Sequence, residues 1–459
     1  MMQTFIPFLQ IFLLLLIGGA ALALILLPEA TLGLLISLAL PLSAFQSAIL
    51  VLLYTTAGIP LSFATLLIGH LLVIAGLILC IYKRSSILMD LERPSSIPKI
   101  SRPNIEKIIL AASAILITCV GIYSFSHAVL LPTAQFDSLT NWTMRSKISF
   151  EDQRIAFDPT EVRGMAKPQY PFLLHSLQIT ANQGQPSWND TGANAMTYLL
   201  SLSSFTALFL IIRKLRGTVQ SLVSLTAILT IPLLSMHLAQ GYADIHLLQY
   251  VLLSLACLGM WMESTHARKS RWLVLSGIFV AASVWTKSEG LVFGLLPWLL
   301  TVALVCGKNR ASWKAACPAI IVALVLSIPW PIFAWLKEIS LTPHSSDTIM
   351  QLHPEALTEA ILGLFGRGSF GITWYALALL VPTIVIAGWK HHPNVERSLL
   401  PLLAWGSIMF TLVCVIYLAT PNVRFLLNGE SYYRQMMIPT AMLILACSLI
   451  LQRFRKADY

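Results

Sequence analysis

Runs of about twenty mostly apolar residues recur along nearly the whole chain. That is the length a helix needs to cross the hydrocarbon core of a bilayer. Composition agrees: 57% of residues are hydrophobic and only 11% charged, far from the balance of soluble domains. The fold class expected is therefore all-α, a polytopic transmembrane helical bundle. The runs place spans near 5–27, 31–53, 60–82, 108–127, 190–212, 219–238, 244–262, 272–286, 290–306, 316–336, 371–389, 399–419 and 434–452, thirteen in all.

The organisation expected is a three-span block (1–82), a cytoplasmic linker (83–107), a membrane core (108–336) with an outer loop at 128–189, and an outer loop with C-terminal spans (337–459). No soluble domain is expected, because Pro, Gly and charge break up 128–189 before it can build a core of its own. The first segment lacks a basic n-region and a small-residue cleavage pattern, so it is expected to be a retained span.

Orientation follows from the bases. Alternating the loops puts 83–107, 213–218, 263–271, 307–315, 390–398 and 453–459 on one side. Those segments hold 20 of the 30 Lys and Arg and 6 of the 20 Asp and Glu. That side is read as cytoplasmic. The net charge of +10 is thus mostly topology, and no nucleic-acid partner is expected. The seven cysteines (Cys80, Cys119, Cys257, Cys306, Cys317, Cys414, Cys447) fall within or at the ends of spans. None lies in an outer loop, so they read as apolar packing and not as a disulfide framework.

The outer loops carry the chemistry. In "FDSLTNWTMRSK" (136–147), Asp137 follows the apolar end of a span, with Trp142, Arg145 and Lys147 close behind. The pattern suits a short interfacial helix, with Trp142 at headgroup level and the basic stems snorkelling toward phosphates. "KPQYP" (167–171) adds Lys167 and Tyr170, and a second short helix follows. "QGYADIHLLQY" (240–250) brings Asp244 to the start of a span, either as an N-cap or as part of a site. With His237 and His246 it is also the candidate for a divalent metal, although no ligand spacing there is specific. "WTKSEGLVF" (285–293) fits a capping box over Thr286–Glu289, yet Lys287 and Glu289 are equally an anion and hydroxyl binder. "GLFGRGSFG" (363–371) lacks the Gly-Lys-Ser/Thr of a phosphate loop; its glycines suggest the flexibility of a gate. "ESYYRQMMIP" (430–439) places Arg434 at the entrance of the last span, as a phosphate ligand or an interfacial anchor.

Taken in order, "DSLTNWTMRSK", "KPQYPFLLHSL", "GYAD", "TKSEGLVF" and "ESYYRQMMIP" resemble the bacterial polytopic glycosyltransferases of the GT-C superfamily, of the protein O-mannosyltransferase and aminoarabinose-transferase type. The likeness covers roughly 108–450. It implies a sugar donor on a polyprenyl phosphate and a lipid, glycan or protein acceptor. The site would face the non-cytoplasmic side of a bacterial inner (plasma) membrane. It also implies catalytic roles for Asp137, as base, and Asp244. Many relatives carry an adjacent acidic pair in the first loop, whereas here Asp137 is followed by Ser138.

The chemistry can be stated independently. Displacing a phosphate from an anomeric carbon needs a base to activate the acceptor and cations where negative charge develops. Asp137 meets the first need; Arg145, Lys147, Lys167, Lys287 and Arg434 are candidates for the second, with Trp142, Tyr170 and Glu289 as further substrate contacts. A single base attacking in line implies inversion, with no cofactor and no required metal. A lipid-linked saccharide transporter would instead show repeats and ionisable or broken spans at mid-membrane. An oligosaccharide polymerase or ligase would gather its bases in one late outer loop.

Overall fold

A computed structural model of the chain describes residues 2–83, 104–156, 169–264, 269–307, 309–339, 351–390, 400–429 and 431–457. Most of the expected linker 83–107, both histidines of 390–397, and Lys167 lie outside the described residues.

In chain order the helices are α1 (Met2–Leu26), α2 (Leu32–Ala57), α3 (Phe63–Lys83), α4 (Asn104–Phe125), α5 (Met144–Glu151), α6 (Leu173–Asn182) and α7 (Asp190–Arg216). Then follow α8 (Thr218–Leu229), α9 (Pro232–Gln240), α10 (Ala243–Glu263), α11 (Lys269–Thr286), α12 (Leu296–Cys306) and α13 (Arg310–Ser327). The last are α14 (Pro329–Leu336), α15 (Leu357–Phe365), α16 (Thr373–Lys390), α17 (Leu400–Leu418), α18 (Val423–Leu427) and α19 (Ser431–Ala457). Three short π-helical turns interrupt them, at Ser126–Leu130, Ser138–Thr143 and Leu291–Leu295.

Nine helices among the described residues are long and apolar enough to cross a membrane. The expected count of thirteen is not reproduced. The run at 219–238 is two helices, α8 and α9, bent by 76°. The bend falls at Pro232, whose ring and missing N–H stop α8 from continuing. The apolar helices Ser270–Thr286, Leu291–Cys306 and Thr373–Ile386 are shorter. Hydropathy reports the length of an apolar run, and it does not report where the axis turns.

Burial shows which helix is central. In α10, 94% of the apolar window is enclosed, against 11% in α4. The described face of α4 is thus largely left to lipid, while α10 is packed by α7, α11 and α19. Helices this apolar gain little from hydrophobic association within lipid, so close packing has to hold them together. At the crossing of α1 and α2 a Cβ on Gly19 would lie 1.8 Å from the Ala39 carbonyl oxygen, an approach only glycine permits.

The described residues of 128–189 are not a loose connector. All ten residues of α6 are buried, and α6 packs on α2 and α7. The loop is also stitched to the N-terminal helices, because Leu61 N–H donates to the Gln153 carbonyl at 2.6 Å and Gln183 Nε2 donates to the Leu61 carbonyl at 2.9 Å. The glycine-rich segment 363–371 is likewise pinned. Its Ser369 carbonyl accepts from Leu233 N–H at 3.0 Å, at the α8–α9 bend, and Arg367 pairs with Glu359. These ties oppose the gate motion suggested by its glycines.

Candidate functional site

Charged side chains from separate parts of the chain meet at one end of the bundle. Asp137 leads into the π turn Ser138–Thr143. Asp244 is the second residue of α10. Lys287 and Glu289 lie in the turn between α11 and the π turn Leu291–Leu295. Arg434 is in the first turn of α19.

Their pairing is specific. Lys287 Nζ donates to Asp244 Oδ1 at 3.0 Å and lies 3.1 Å from Glu289 Oε1. Arg434 donates to Asp137 Oδ2. The Tyr170 ring faces Lys287 Nζ at 5.4 Å, and the Tyr242 ring faces the Arg434 guanidinium at 5.8 Å, both within cation–π range. Trp142 closes the floor, 4.8 Å from Tyr170 and 5.5 Å from His175 between ring centroids.

The two aspartates differ in access. The Asp137 side chain is 33% exposed and Asp244 only 2%. Burial by itself would push the Lys287 ammonium down, but the carboxylates of Asp244 and Glu289 outweigh it and hold Lys287 above its ordinary value. It is a fixed cation at any physiological pH. Burial pushes the Tyr170 phenol up to about 12, so it stays neutral.

Backbone and hydroxyl contacts hold the pieces in register. Ser138 Oγ donates to the Gln240 carbonyl at 2.6 Å, tying the π turn Ser138–Thr143 to the end of α9. A second acid at that position would lack this donor while ionised. Ser288 Oγ donates to the Gln169 carbonyl at 3.2 Å. The capping box expected over 286–289 does not form. Thr286 Oγ1 instead donates back to the Ala282 carbonyl, and Glu289 turns toward Lys287. Asp244 is likewise not an N-cap: Tyr242 precedes α10 and makes no side-chain cap.

The remaining predicted residues take different places. Trp142, 2% exposed, is enclosed between the rings of Tyr170 and His175. Arg145 does not snorkel. It is fully buried, donating from Nε to the Ala156 carbonyl at 3.0 Å and from Nη1 to the Tyr170 carbonyl at 2.7 Å. It braces the loop that presents Tyr170. Lys147 is exposed on the same short helix. His237 packs against Tyr242 at 4.7 Å and His246 bonds Gln249 at 3.1 Å. Both line a small pocket beside the site, with Thr197 and Ser201. Among the described residues, no three His, Cys, Asp or Glu are grouped to hold a metal.

Sequence reasoning missed Tyr242, His175 and Gln435. Gln435 Nε2 donates to Glu289 Oε1 at 3.4 Å. The only sequence signal for it is an amide next to Arg434 at the mouth of an apolar helix.

No protein-family model matches the sequence, and no curated protein matches it. Among solved structures, ArnT of Cupriavidus metallidurans in the apo state aligns with a TM-score of 0.53 and 13% identity, over 75% of this chain and 60% of that one. The same protein bound to undecaprenyl phosphate aligns with a TM-score of 0.54 and 13% identity, over 74% of this chain and 60% of that one. A looser likeness, TM-score 0.46 at 11% identity, is to the Archaeoglobus fulgidus oligosaccharyltransferase, over 75% of this chain and 52% of that one. The chain thus spans about three-fifths of the length of ArnT. The bundle described above thus shares its fold with ArnT over three quarters of its own length.

Proposed function

We propose that this integral membrane protein transfers a sugar from a polyprenyl-phosphate donor to a lipid, glycan or protein acceptor at the outer face of the membrane, with inversion at the anomeric carbon. The observation that carries the reading is the convergence of Arg434 and Lys287 with an accessible carboxylate, Asp137. The fold's likeness to a protein crystallised with undecaprenyl phosphate supports a lipid-phosphate donor.

In this mechanism Arg434 and Lys287 hold the donor phosphate. Arg434 forms charge-assisted, two-point bonds to phosphate oxygens and in doing so gives up Asp137. The carboxylate is then available to take the proton of the acceptor hydroxyl or amine. The acceptor's lone pair attacks the anomeric carbon from the face opposite the phosphate. The carbon–oxygen bond to phosphate breaks, and its electron pair leaves with polyprenyl phosphate, whose charge the two cations stabilise. Asp244, enclosed and bonded to Lys287, acts as a positioning residue. No step requires a metal or cofactor. The broken α8–α9 pair is a feature transporters share. The charged groups, however, gather at helix ends and not midway along the spans, which favours chemistry at a membrane surface.

The test uses membranes carrying wild type or Asp137→Asn, a panel of polyprenyl-phosphate sugars, and an extract of the source cell envelope as acceptor. Free polyprenyl phosphate is read by mass spectrometry. Wild type should consume one donor, and the variant should be slower by about 10²–10⁴-fold. Equal rates would move the base to Asp244. A wild type that consumes no donor would overturn the transferase reading.

A further inference from the structure

We propose that Glu289 and Gln435 form the edge of the site that recognises the donor sugar, by accepting hydrogen bonds from two neighbouring hydroxyls of a neutral hexose. This assignment rests on the transferase reading above. It begins from atoms that have no partner. Gln435 is 8% exposed and gives its Nε2 to Glu289 Oε1 at 3.4 Å. The amide cannot be turned over, because its carbonyl would then face a carboxylate oxygen. Its Oε1 is therefore the atom left over. Gln435 Oε1 and Glu289 Oε2 are both buried and neither has a hydrogen-bond partner.

A bonded pair of side chains thus presents two buried acceptors and lacks the donors to satisfy them. Buried acceptors left unpaired are costly, so a ligand that fits here brings donors. Glu289 Oε1 is also 3.1 Å from Lys287 Nζ, so one oxygen of the carboxylate already has a cationic partner, and hydroxyl donors suffice for the oxygen left over. Lys287 and Arg434 are the proposed phosphate ligands, one bonded to Glu289 and the other next to Gln435 in the first turn of α19. A sugar hanging from a phosphate held by these cations lies beside the acceptor pair.

The experiment uses full-length protein in lipid nanodiscs, with polyprenyl-phosphate glucose, mannose and galactose and the 2-, 3-, 4- and 6-deoxy forms of each. The readout is the ratio of kcat/KM for a hexosyl donor to that for its deoxy form. A ratio within one protein does not depend on how much of it is folded. Wild type should disfavour the two forms lacking adjacent hydroxyls by about 10- to 100-fold each, the effect of leaving a buried acceptor unpaired. Gln435→Met should collapse one of those two ratios toward unity, and Gln435→Leu, of different shape, should collapse the same one. Ratios unchanged in both variants, or no deoxy discrimination in wild type, would overturn the proposal and leave the transferase reading standing. A wild type that turns over no member of the panel, but consumes another polyprenyl-phosphate sugar such as an amino sugar, would also overturn it alone. Consumption of no donor at all would remove both.

Discussion

The two ends of the bundle use the same residue types in opposite ways. At the end remote from the site, Arg216 at the close of α7 pairs with Glu263 at the close of α10 through both guanidinium arms. It also donates from Nε to the Leu449 carbonyl at 2.5 Å and from Nη1 to the Leu215 carbonyl at 3.0 Å. Arg271, 3.5 Å from Glu29, is not part of that cluster, and Glu29 Oε2 makes no hydrogen bond. The guanidinium of Arg216 is spent on three helices. At the other end, among the described residues, Asp137, Asp244 and Glu289 share the two cations Arg434 and Lys287, and the acceptors Glu289 Oε2 and Gln435 Oε1 are left over. A saturated ion pair fastens helix ends together. An unsaturated one can exchange partners with a substrate, and that difference separates a structural charge cluster from a chemical one.

Substitutions at each end test the distinction. Asp137→Asn, with the rate loss given above, should leave the melting temperature in detergent unchanged, because its side chain is partly exposed. A matching fall in melting temperature would make Asp137 a structural residue. Lys287→Met leaves Asp244, 2% exposed, without a counter-charge and should destabilise the protein by about 3–5 kcal/mol. Adding Asp244→Leu should restore the melting temperature without restoring transfer, since an apolar pair replaces a buried ion pair at little cost. Recovery of transfer in the double variant would remove Lys287 from the phosphate site.

Arg216→Met should lower stability by about 1–3 kcal/mol while kcat per folded molecule stays within twofold of wild type. A specific loss of turnover at full stability would show that the two ends are coupled. The smallest effect is on His175, enclosed in α6, where burial and the nearby Arg145 hold its imidazole well below 6.5. The unfolded chain takes up a proton there and the folded one does not. Stability should therefore fall as pH drops below 6.5, with a limiting slope of about 1.4 kcal/mol per pH unit. Melting curves between pH 7.5 and 5.5 should be shallower in His175→Gln than in wild type, by at most that one-proton slope.

Much of the site was legible because charge is rare in this chain. A Lys, an Arg or an acid beside the end of an apolar run needs a reason, and Asp137, Asp244, Lys287, Glu289 and Arg434 stood out on that ground. Arg145 and Lys147 stood out equally, although they sit two positions apart on one short helix with one side chain buried and the other exposed. Which way that helix turns is set by what it packs against, and nothing in the local pattern reports it. Gln435 was illegible for the opposite reason. An uncharged amide draws no notice until a carboxylate from a segment 146 residues away is found bonded to it.

The sequence by itself determined that the chain is a bundle of membrane helices, because bilayer thickness fixes the length of apolar run a span requires. It also determined where along the chain the ionisable groups could stand, since charge inside hydrocarbon is costly. Tertiary structure alone decided that Pro232 bends one run by 76°, and that α10 is enclosed while α4 faces outward. It also decided which acid meets which base, and which oxygen atoms are left without a donor. Those outcomes depend on contacts between residues far apart in sequence, and periodicity along the chain does not encode them.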